Sequence, residues 1–409
     1  MGSHSFGQPS EAFIDKLPNE TLSYIFEYCQ PFEGPYRMIN SWVRFMRVCR
    51  RWHDVAERVL YTQMTLRIGG SLNAFANIVI EEPEIGSLVQ SVEIWDFCWS
   101  SYGKQLTRNV LRSLKSVRSL TIPIGFSLSD KSFFRLLREM PLTEAKIMEF
   151  SRVDTIFEFY DIPTLKRLDL EKRFEAADFN DRDGGKSFSS VKSLDRVLPP
   201  SKQRTSTITN LRVWWPYVPL YVTERLLLWP ANLEIAKLLW LPRGSLTSEY
   251  NFRSFWKILS SHAATLKSLE IGALPLADHD IPSFSYFSRL EKLNMYAGDL
   301  MGMDPEMAVR VLAAPKLERL ILKCLKDFAW APNALLCLEE HHYRWLKRFL
   351  CVIKSSGSIP ELRIMQIDNV SLSPWAYDLE VPAKECRIRL VFIERRGLFG
   401  EDYSVICFE

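Results

Sequence analysis

The chain has 409 residues, of which 47% are hydrophobic and 25% are charged, the usual composition of a soluble globular protein. Its 52 basic and 49 acidic side chains leave a formal net charge of +3, which argues against a nucleic-acid-binding or membrane-binding protein. The length allows two or three domains.

Cysteine usage and hydropathy indicate the compartment. The eight cysteines include no Cys-x-x-Cys pair, and most of them lie in apolar runs. This pattern is typical of buried free thiols in a reducing compartment and argues against disulfides or a zinc site. The first sixteen residues lack the apolar core of a signal peptide, and no run reaches transmembrane length. We therefore expect a cytosolic or nuclear protein.

A small helical module is predicted over residues 15–62, after a tail at residues 1–14 that we expect to be disordered. Pro18 suits the first position of a helix, where its missing N–H is not needed. The apolar residues that follow recur at the spacing of one helix face; they are Leu22, Ile25, Phe26 and Cys29. Two more periodic stretches, beginning at Ile39 and Val48, predict a second and a third helix. A module of this size gains stability by burying its leftover apolar surface on a partner.

Two blocks of this module carry a motif: Leu-Pro-x-Glu-x-Leu-x-x-Ile-Phe, from Leu17 to Phe26, and Val-Cys-Arg-x-Trp, from Val48 to Trp52. In this order the blocks resemble the F-box family, although an extra segment, Pro31–Arg37, lies between the first two helices. The resemblance implies docking onto a Skp-type adaptor and, through it, onto a cullin-based ubiquitin ligase. It assigns the adaptor contact to Leu17, Pro18, Leu22, Ile25, Phe26, Val48, Cys49 and Trp52. The alternative is that these residues only pack the three helices against one another.

A pattern of three apolar residues, separated by two residues and then by one, recurs along the rest of the chain. It occurs ten times between Val89 and Ile367, mostly at intervals of roughly 20–30 residues, close to those of leucine-rich repeats; the sixth copy is Ile235-Leu238-Trp240. Stretches of helical spacing lie between the copies, so each unit is predicted to be a strand, a loop and a helix. Such units bury their leucines only by stacking on their neighbours. The sequence therefore predicts an α/β fold, a curved leucine-rich-repeat-like solenoid over residues 63–385, with parallel strands on the concave face and helices outside.

Three segments depart from the regular repeat. Glu171–Thr207 is polar and contains Pro199-Pro200, which predicts a mobile insertion. Residues 335–353 are amphipathic and predict an additional helix. Residues 386–409 alternate as strands do and predict a C-terminal β cap. Because the repeats are irregular and carry no fixed Asn, a doubly wound α/β domain is the alternative fold.

The residues between the apolar positions of each strand form a candidate recognition surface. Successive side chains of a strand point to opposite faces, so these residues are expected on the concave face of the sheet. Aromatic side chains interleaved with charged ones are common where proteins bind other proteins. The predicted substrate-binding residues are Glu93, Trp95, Trp99, Arg212, Trp214, Asn294, Tyr296 and Lys323. The alternative is that the aromatic residues pack beneath long loops.

The sequence contains no motif of a catalytic site. It lacks the G-x-S-x-G elbow of hydrolases, the glycine-rich nucleotide-binding loops and the H-E-x-x-H zinc motif. The segment Glu339–His342 is the most metal-like cluster, but two ligands do not make a site, and a solvated helix surface is the simpler interpretation. We therefore expect no enzyme activity, no metal and no cofactor.

The sequence as a whole predicts a substrate-recognition subunit of a Skp–cullin–F-box ubiquitin ligase. Its helical module would bind the adaptor, and its repeats would hold a target protein. One alternative is a scaffold that keeps the adaptor but degrades nothing. Another, of a different class, is a hydrolase or transferase with a degenerate α/β fold. Neither nucleic acid nor a membrane is expected among the partners.

Overall fold

The computed structural model describes residues 17–28, 44–67, 70–95, 101–123, 131–148, 153–171, 199–214, 220–239, 252–272, 282–324, 338–368, 374–396 and 402–408. The predicted tail at residues 1–14 lies outside these ranges, as does most of the predicted insertion. The chain divides into two units. Unit 1 is Met1–Gly125 with Asp130–Leu142, and unit 2 is Phe126–Ser129 with Thr143–Glu409.

Unit 1 contains helices of the N-terminal module followed by alternating strands and helices. Its helices are α1 (Asn19–Tyr28), α2 (Arg50–Thr62), α3 (Ser71–Glu81), α4 (Pro83–Leu88), α5 (Ser101–Ser113) and α6 (Lys131–Glu139). Its strands are β1 (Gln63–Arg67), β2 (Ser91–Trp95) and β3 (Ser119–Pro123). Strand β2 pairs in parallel with β1 on one side and with β3 on the other. Most of the predicted second helix of the module lies outside the described residues.

Unit 2 continues the alternation over a longer run. Its helices are α7 (Val153–Tyr160), α8 (Leu220–Leu228), α9 (Phe252–Leu259), α10 (Ala297–Met301), α11 (Pro305–Val311), α12 (Glu340–Ser356) and α13 (Glu380–Cys386). Its strands are β4 (Glu144–Met148), β5 (Arg167–Glu171), β6 (Asn210–Trp214), β7 (Ile235–Leu239), β8 (Ser268–Ile271), β9 (Lys292–Tyr296), β10 (Arg319–Lys323), β11 (Ile364–Asp368), β12 (Arg389–Arg396) and β13 (Asp402–Phe408). Short 3-10 helices are formed by Pro200–Lys202, Ser260–His262, Phe284–Tyr286 and Pro374–Leu379. The helix predicted at residues 335–353 corresponds to α12.

The strands of unit 2 lie in the sheet in the same order as in the sequence, from β4 to β13. These pairings are parallel up to β12, and β12 pairs with β13 in antiparallel fashion. The register is regular: Leu168 pairs with Leu211, Leu211 with Ala236, and Ala236 with Leu269. The strand order never reverses, as it must in a doubly wound sheet, so that alternative is wrong for unit 2. The antiparallel pair lies within the segment for which a C-terminal β cap is predicted.

The apolar core of unit 2 is built from the repeated pattern. In the repeat that contains β5, the three apolar positions are Leu165, Leu168 and Leu170, and none is more than 1% exposed. Burying one such side chain contributes about 1.5–3 kcal/mol, so these rows are the main stabilising feature of the fold. Among the described residues, no helix combines the length and the apolar character needed to cross a membrane.

One repeat is shifted relative to the sequence prediction. The pattern assigns Ile235, Leu238 and Trp240 to the buried positions of β7. In the structure, Leu233, Ala236 and Leu238 are buried, whereas Ile235 is half-buried and Trp240 lies outside the described residues. Ala236 is small and only weakly apolar, so it is hard to recognise as a core position. The larger apolar residues Ile235, Leu238 and Trp240 fit the repeat pattern better, but they are shifted by two positions from the residues that are buried.

Candidate protein-binding surfaces

The N-terminal module packs around a small apolar core shared by α1 and α2. The buried residues of this core are Leu22, Phe26, Val55, Ala56 and Val59. The ring of Phe26 stacks on Phe45, with 4.8 Å between centroids, and meets the edge of Trp52 at 5.2 Å. Aromatic pairs of this kind contribute about 0.5–1.5 kcal/mol beyond the area that they bury. The two motif blocks therefore share one core.

Polar contacts also connect the second motif block to the first. Arg51 donates from Nε to Oδ1 of Asn19 at 2.9 Å, and from Nη2 to the backbone oxygen of Leu17. Cys49 is the N-cap of α2, and its Sγ accepts a weak hydrogen bond from the backbone N–H of Trp52 at 3.5 Å. These contacts fix the start of α1 against the start of α2.

The predicted adaptor-binding residues fall into buried and exposed groups. Leu22 and Phe26 are fully buried, and their side chains form the core of the module. The half-buried residues, which pack against this core, are Leu17, Ile25 and Trp52. The exposed residues are Pro18, Val48 and Cys49.

Two exposed aromatic side chains on α1 are missing from the sequence prediction. Tyr24 is 73% exposed and Tyr28 is 90% exposed, and their spacing of four residues places them on one side of the helix. Val48, from the second motif block, is 58% exposed. Exposed aromatic side chains often anchor protein interfaces. A signal for them was present in the sequence, because the two tyrosines are out of phase with the buried stripe that contains Leu22.

The strands of unit 2 bury one set of alternate side chains and present the other set on what we call the polar face. Across β5–β9, the register places Asp169, Arg212, Lys237, Glu270 and Asn294 next to one another. Neighbouring strands lie about 4.8 Å apart, so these side chains form one continuous row.

All five predicted substrate-binding residues of unit 2 lie on the polar face. Four of them are Arg212, Trp214, Tyr296 and Lys323, with Trp214 40% exposed. Asn294 shares this face but is only 7% exposed, so its side chain is covered in this structure. In unit 1, Glu93 and Trp95 are half-buried at alternate positions of β2. Trp99 lies outside the described residues.

Glu270 is held between two lysines of the polar face. It is only 6% exposed; Lys323 Nζ donates to its Oε1, and Lys237 Nζ lies 3.8 Å from its Oε2. Burial raises the pKa of Glu270, but the hydrogen bond and charge of Lys323, with the charges of Lys237 and Arg212, outweigh burial and leave the pKa below its ordinary value. The carboxylate therefore stays ionised between its cationic neighbours.

The metal-like cluster at Glu339–His342 has a structural role at the start of α12. The Glu339 side chain accepts from the backbone of His342, and the backbone N–H of Glu339 donates to Nδ1 of His342 at 3.0 Å, which completes a capping box. Burial and the neighbouring His341 lower the pKa of His342. Within the described ranges, no group of three or more potential ligands is placed to hold a metal ion.

An open groove of about 480 Å³ lies among the described residues of unit 1. It is lined by Arg58, Thr62, Ser87, Leu88, Gln90, Lys115, Ser116, Arg118 and Pro141. This lining offers cations and hydroxyls but neither a carboxylate nor an imidazole that would act as a general base. The groove therefore gives no support to the enzyme alternative.

Comparison with known proteins identifies the helical module. No curated protein was found to match the sequence. A family model described as F-box-like matches residues 14–67, which span α1, α2 and β1. The chain thus contains an F-box-like domain, a kind of module that docks on Skp-type adaptors, followed by an α/β region whose strands are mostly parallel.

Proposed function

We propose that this protein is the substrate-recognition subunit of a Skp–cullin–F-box ubiquitin ligase. Its F-box-like domain binds a Skp-type adaptor, and its repeats form a leucine-rich-repeat-like solenoid that holds the target protein. The observation that carries this proposal is the match of residues 14–67 to the F-box-like family. The exposed aromatic pair on α1 supplies a surface suited to such docking.

The proposed mechanism is positional. A receptor that holds its target beside the ubiquitin-loaded enzyme raises the effective concentration of the target's lysines. Such a receptor needs no catalytic residues of its own.

The adaptor surface is tested by replacing Tyr24 and Tyr28 together with serine in the full-length chain. We expect co-purification with a Skp-type adaptor to weaken at least about tenfold, because truncating an interface tyrosine commonly costs about 1–2 kcal/mol. The thermal unfolding midpoint should stay close to that of the wild type, since both side chains are exposed. The measurement is titration of labelled adaptor against each purified protein.

The matched control is the pair Tyr286→Ser and Tyr377→Ser. These tyrosines are 75% and 60% exposed and lie in unit 2, outside the F-box-like region. This control should bind the adaptor as the wild type does. Adaptor binding unchanged in the Tyr24/Tyr28 variant would remove the aromatic pair from the docking surface, and no binding by the wild type would overturn the proposed function.

A scaffold that degrades nothing would bind the adaptor equally well. Cullin capture separates the two roles, because a ligase receptor must bring the cullin into the complex. We expect the cullin to co-purify with the wild-type chain and adaptor, and to be lost together with the adaptor from the Tyr24/Tyr28 variant.

A further inference from the structure

Cations are concentrated on one part of the polar face, across β6–β10. They occupy the alternate positions that the apolar core does not use, so they share one side of the sheet. These cations are Arg212, Lys237, Lys292, Arg319 and Lys323. The chain as a whole has a net charge of only +3, so this patch is a local feature and not a consequence of composition.

The register places like charges directly beside each other. Arg212 is paired with Lys237 across β6 and β7, and Lys292 is paired with Arg319 across β9 and β10. Like charges in such positions destabilise a sheet. Burial lowers the pKa of Lys292, and the charges of Arg319 and Lys237 lower it further. The fold therefore carries an electrostatic cost here that an anionic partner would relieve.

The acidic residues nearby leave three of the five cations without an ion pair in the described parts of the chain. Glu270 is the one carboxylate on the described parts of β6–β10, and it lies between Lys237 and Lys323. The carboxylates of β5 are engaged with cations on β4 and β5: Lys146 lies 2.7 Å from Glu171, and Arg167 lies 2.8 Å from Asp169. Among the described residues, no acidic side chain forms an ion pair with Arg212, Lys292 or Arg319.

Two aromatic side chains are also suited to contact a peptide. Trp214 and Tyr296 border the patch and offer apolar surface to neighbouring side chains.

We propose that the polar face of β6–β10 binds an acidic, extended segment of the target protein. This inference rests on the proposed function, since it identifies the chemistry of what the repeats hold. The surface is a sheet five strands wide, about 20 Å, which suits a peptide better than a small anion. Charge complementarity selects an acidic segment.

The arrangement of the cations also specifies the spacing of the acids. The pair on β6 and β7 and the pair on β9 and β10 are separated by three strand spacings across the sheet, about 14 Å, and by two residues along the strands, about 7 Å. Their centres therefore lie about 16 Å apart, and an extended chain covers about 16–18 Å in five residues. Glu270 on β8 lies between the pairs and repels an acid placed midway. The preferred segment is therefore Glu-x-x-x-x-Glu with neutral residues at the two middle positions.

The test is fluorescence anisotropy with labelled peptides and the full-length protein. The probe carries glutamate at its first and sixth positions in a serine–glycine background. A second peptide has glutamine at both positions, and a third has an extra glutamate at the third position, one of the two middle ones. We expect the first peptide to bind, the second to lose binding, and the third to bind no more tightly than the first despite its additional charge.

Charge-matched protein variants locate the site. Lys292→Gln with Arg319→Gln should weaken binding of the first peptide roughly tenfold, since each exposed ion pair contributes up to about fivefold. The control, Lys316→Gln with Lys347→Gln, removes the same charge at exposed positions outside the polar face and should bind as the wild type does. Equal weakening by both variants would overturn the proposed site.

Other results overturn the proposal in different ways. Tighter binding of the third peptide would show general attraction of anions, without the predicted spacing. Preferential binding of a single-stranded oligonucleotide would show that the patch selects nucleic acid.

Adaptor capture measured on the same samples distinguishes failure of the acidic-segment inference from failure of the proposed ligase function. Intact capture without peptide binding overturns only the acidic-segment inference, whereas peptide binding without capture overturns only the ligase role.

Discussion

Tyr24 and Leu22 illustrate how a motif and a surface differ at the scale of single residues. The F-box-like motif includes Leu22 and Phe26, yet both side chains are buried in the core of the module. Tyr24 occupies a position of the motif at which no residue type is specified, and it is 73% exposed. A family motif combines the residue types that a domain needs for internal packing with those that it needs for docking. The sequence could not separate these two demands, because only the packing of α1 on α2 decides which side of the helix is covered.

The buried histidine His262 is a second example at the scale of single residues. It is 1% exposed, its Nε2 lies 2.5 Å from the backbone oxygen of Leu227, and its Nδ1 has no partner in the described structure. Burial lowers the pKa of His262, the hydrogen bond opposes this, and the charge of Arg204 lowers the pKa further. Its net pKa in the folded protein is therefore below the ordinary value of 6.5.

The sign of the pH effect follows from this shift. Below pH 6.5 the unfolded chain protonates His262 more readily than the folded chain does, so the free energy of unfolding falls as the pH is lowered. We expect His262→Gln, which can still donate to Leu227, to reduce this loss. Urea titrations of the wild type and the variant between about pH 7 and pH 5 measure it. The exposed His341→Gln is the control, and the same pH slope in all three proteins would contradict the assignment.

At the scale of elements, β7 shows where the spacing of apolar residues fails to predict the buried positions of a strand. The order of strands and helices followed from the spacing of apolar residues, because each buried position recurs at a fixed offset within its repeat. Strand β7 was assigned two residues out of frame, since Ala236 occupies its central buried position. A weakly apolar residue can fill a core where neighbouring strands supply the volume. The volume that alanine leaves is then filled by residues of other repeats, and the apolar spacing within one repeat does not show this.

The corrected frame of β7 makes a quantitative prediction. Leu233 is fully buried, so Leu233→Ala should lower the free energy of unfolding by about 2–5 kcal/mol. Ile235 is half-buried on the other face, so Ile235→Ala should cost about 1 kcal/mol. Chemical denaturation of the two variants measures the difference. A larger loss for Ile235→Ala would restore the original frame and contradict the register described for β7.

At the scale of the whole molecule, the α/β class, the strand order and the F-box-like module could be predicted from the sequence. The spacing of apolar residues and a two-block motif are local features of the sequence, so they can be recognised without knowledge of the fold. The cation patch could not be predicted. Lys292 and Arg319 are neighbours only because β9 pairs with β10 in one particular register. Charge clusters formed by residues distant in sequence require the pairing itself.

The two proposed surfaces should respond differently to salt. Binding of the acidic peptide depends on exposed charges, which are screened over about 10 Å at 0.1 M salt. Adaptor binding through Tyr24 and Tyr28 depends on apolar burial, which salt does not weaken. Raising sodium chloride should therefore weaken peptide binding while adaptor binding holds. Parallel titrations at low and high salt measure both, and an equal loss in the two would contradict this division of roles.

The pairing of β5 with β6 has a consequence for engineering. Leu168 and Leu211 are exact partners, although the chain between the two strands is far longer than a typical connection. Hydrogen bonds between the two five-residue strands set their register. The length of the chain that connects β5 to β6 does not set it. The entropic cost of closing a loop grows by only about 0.6 kcal/mol per doubling of its length. Ser206 and Ile208, just before β6, are buried, so a reporter or an affinity tag is better placed between Glu171 and Pro199, where we expect both strands to stay in place.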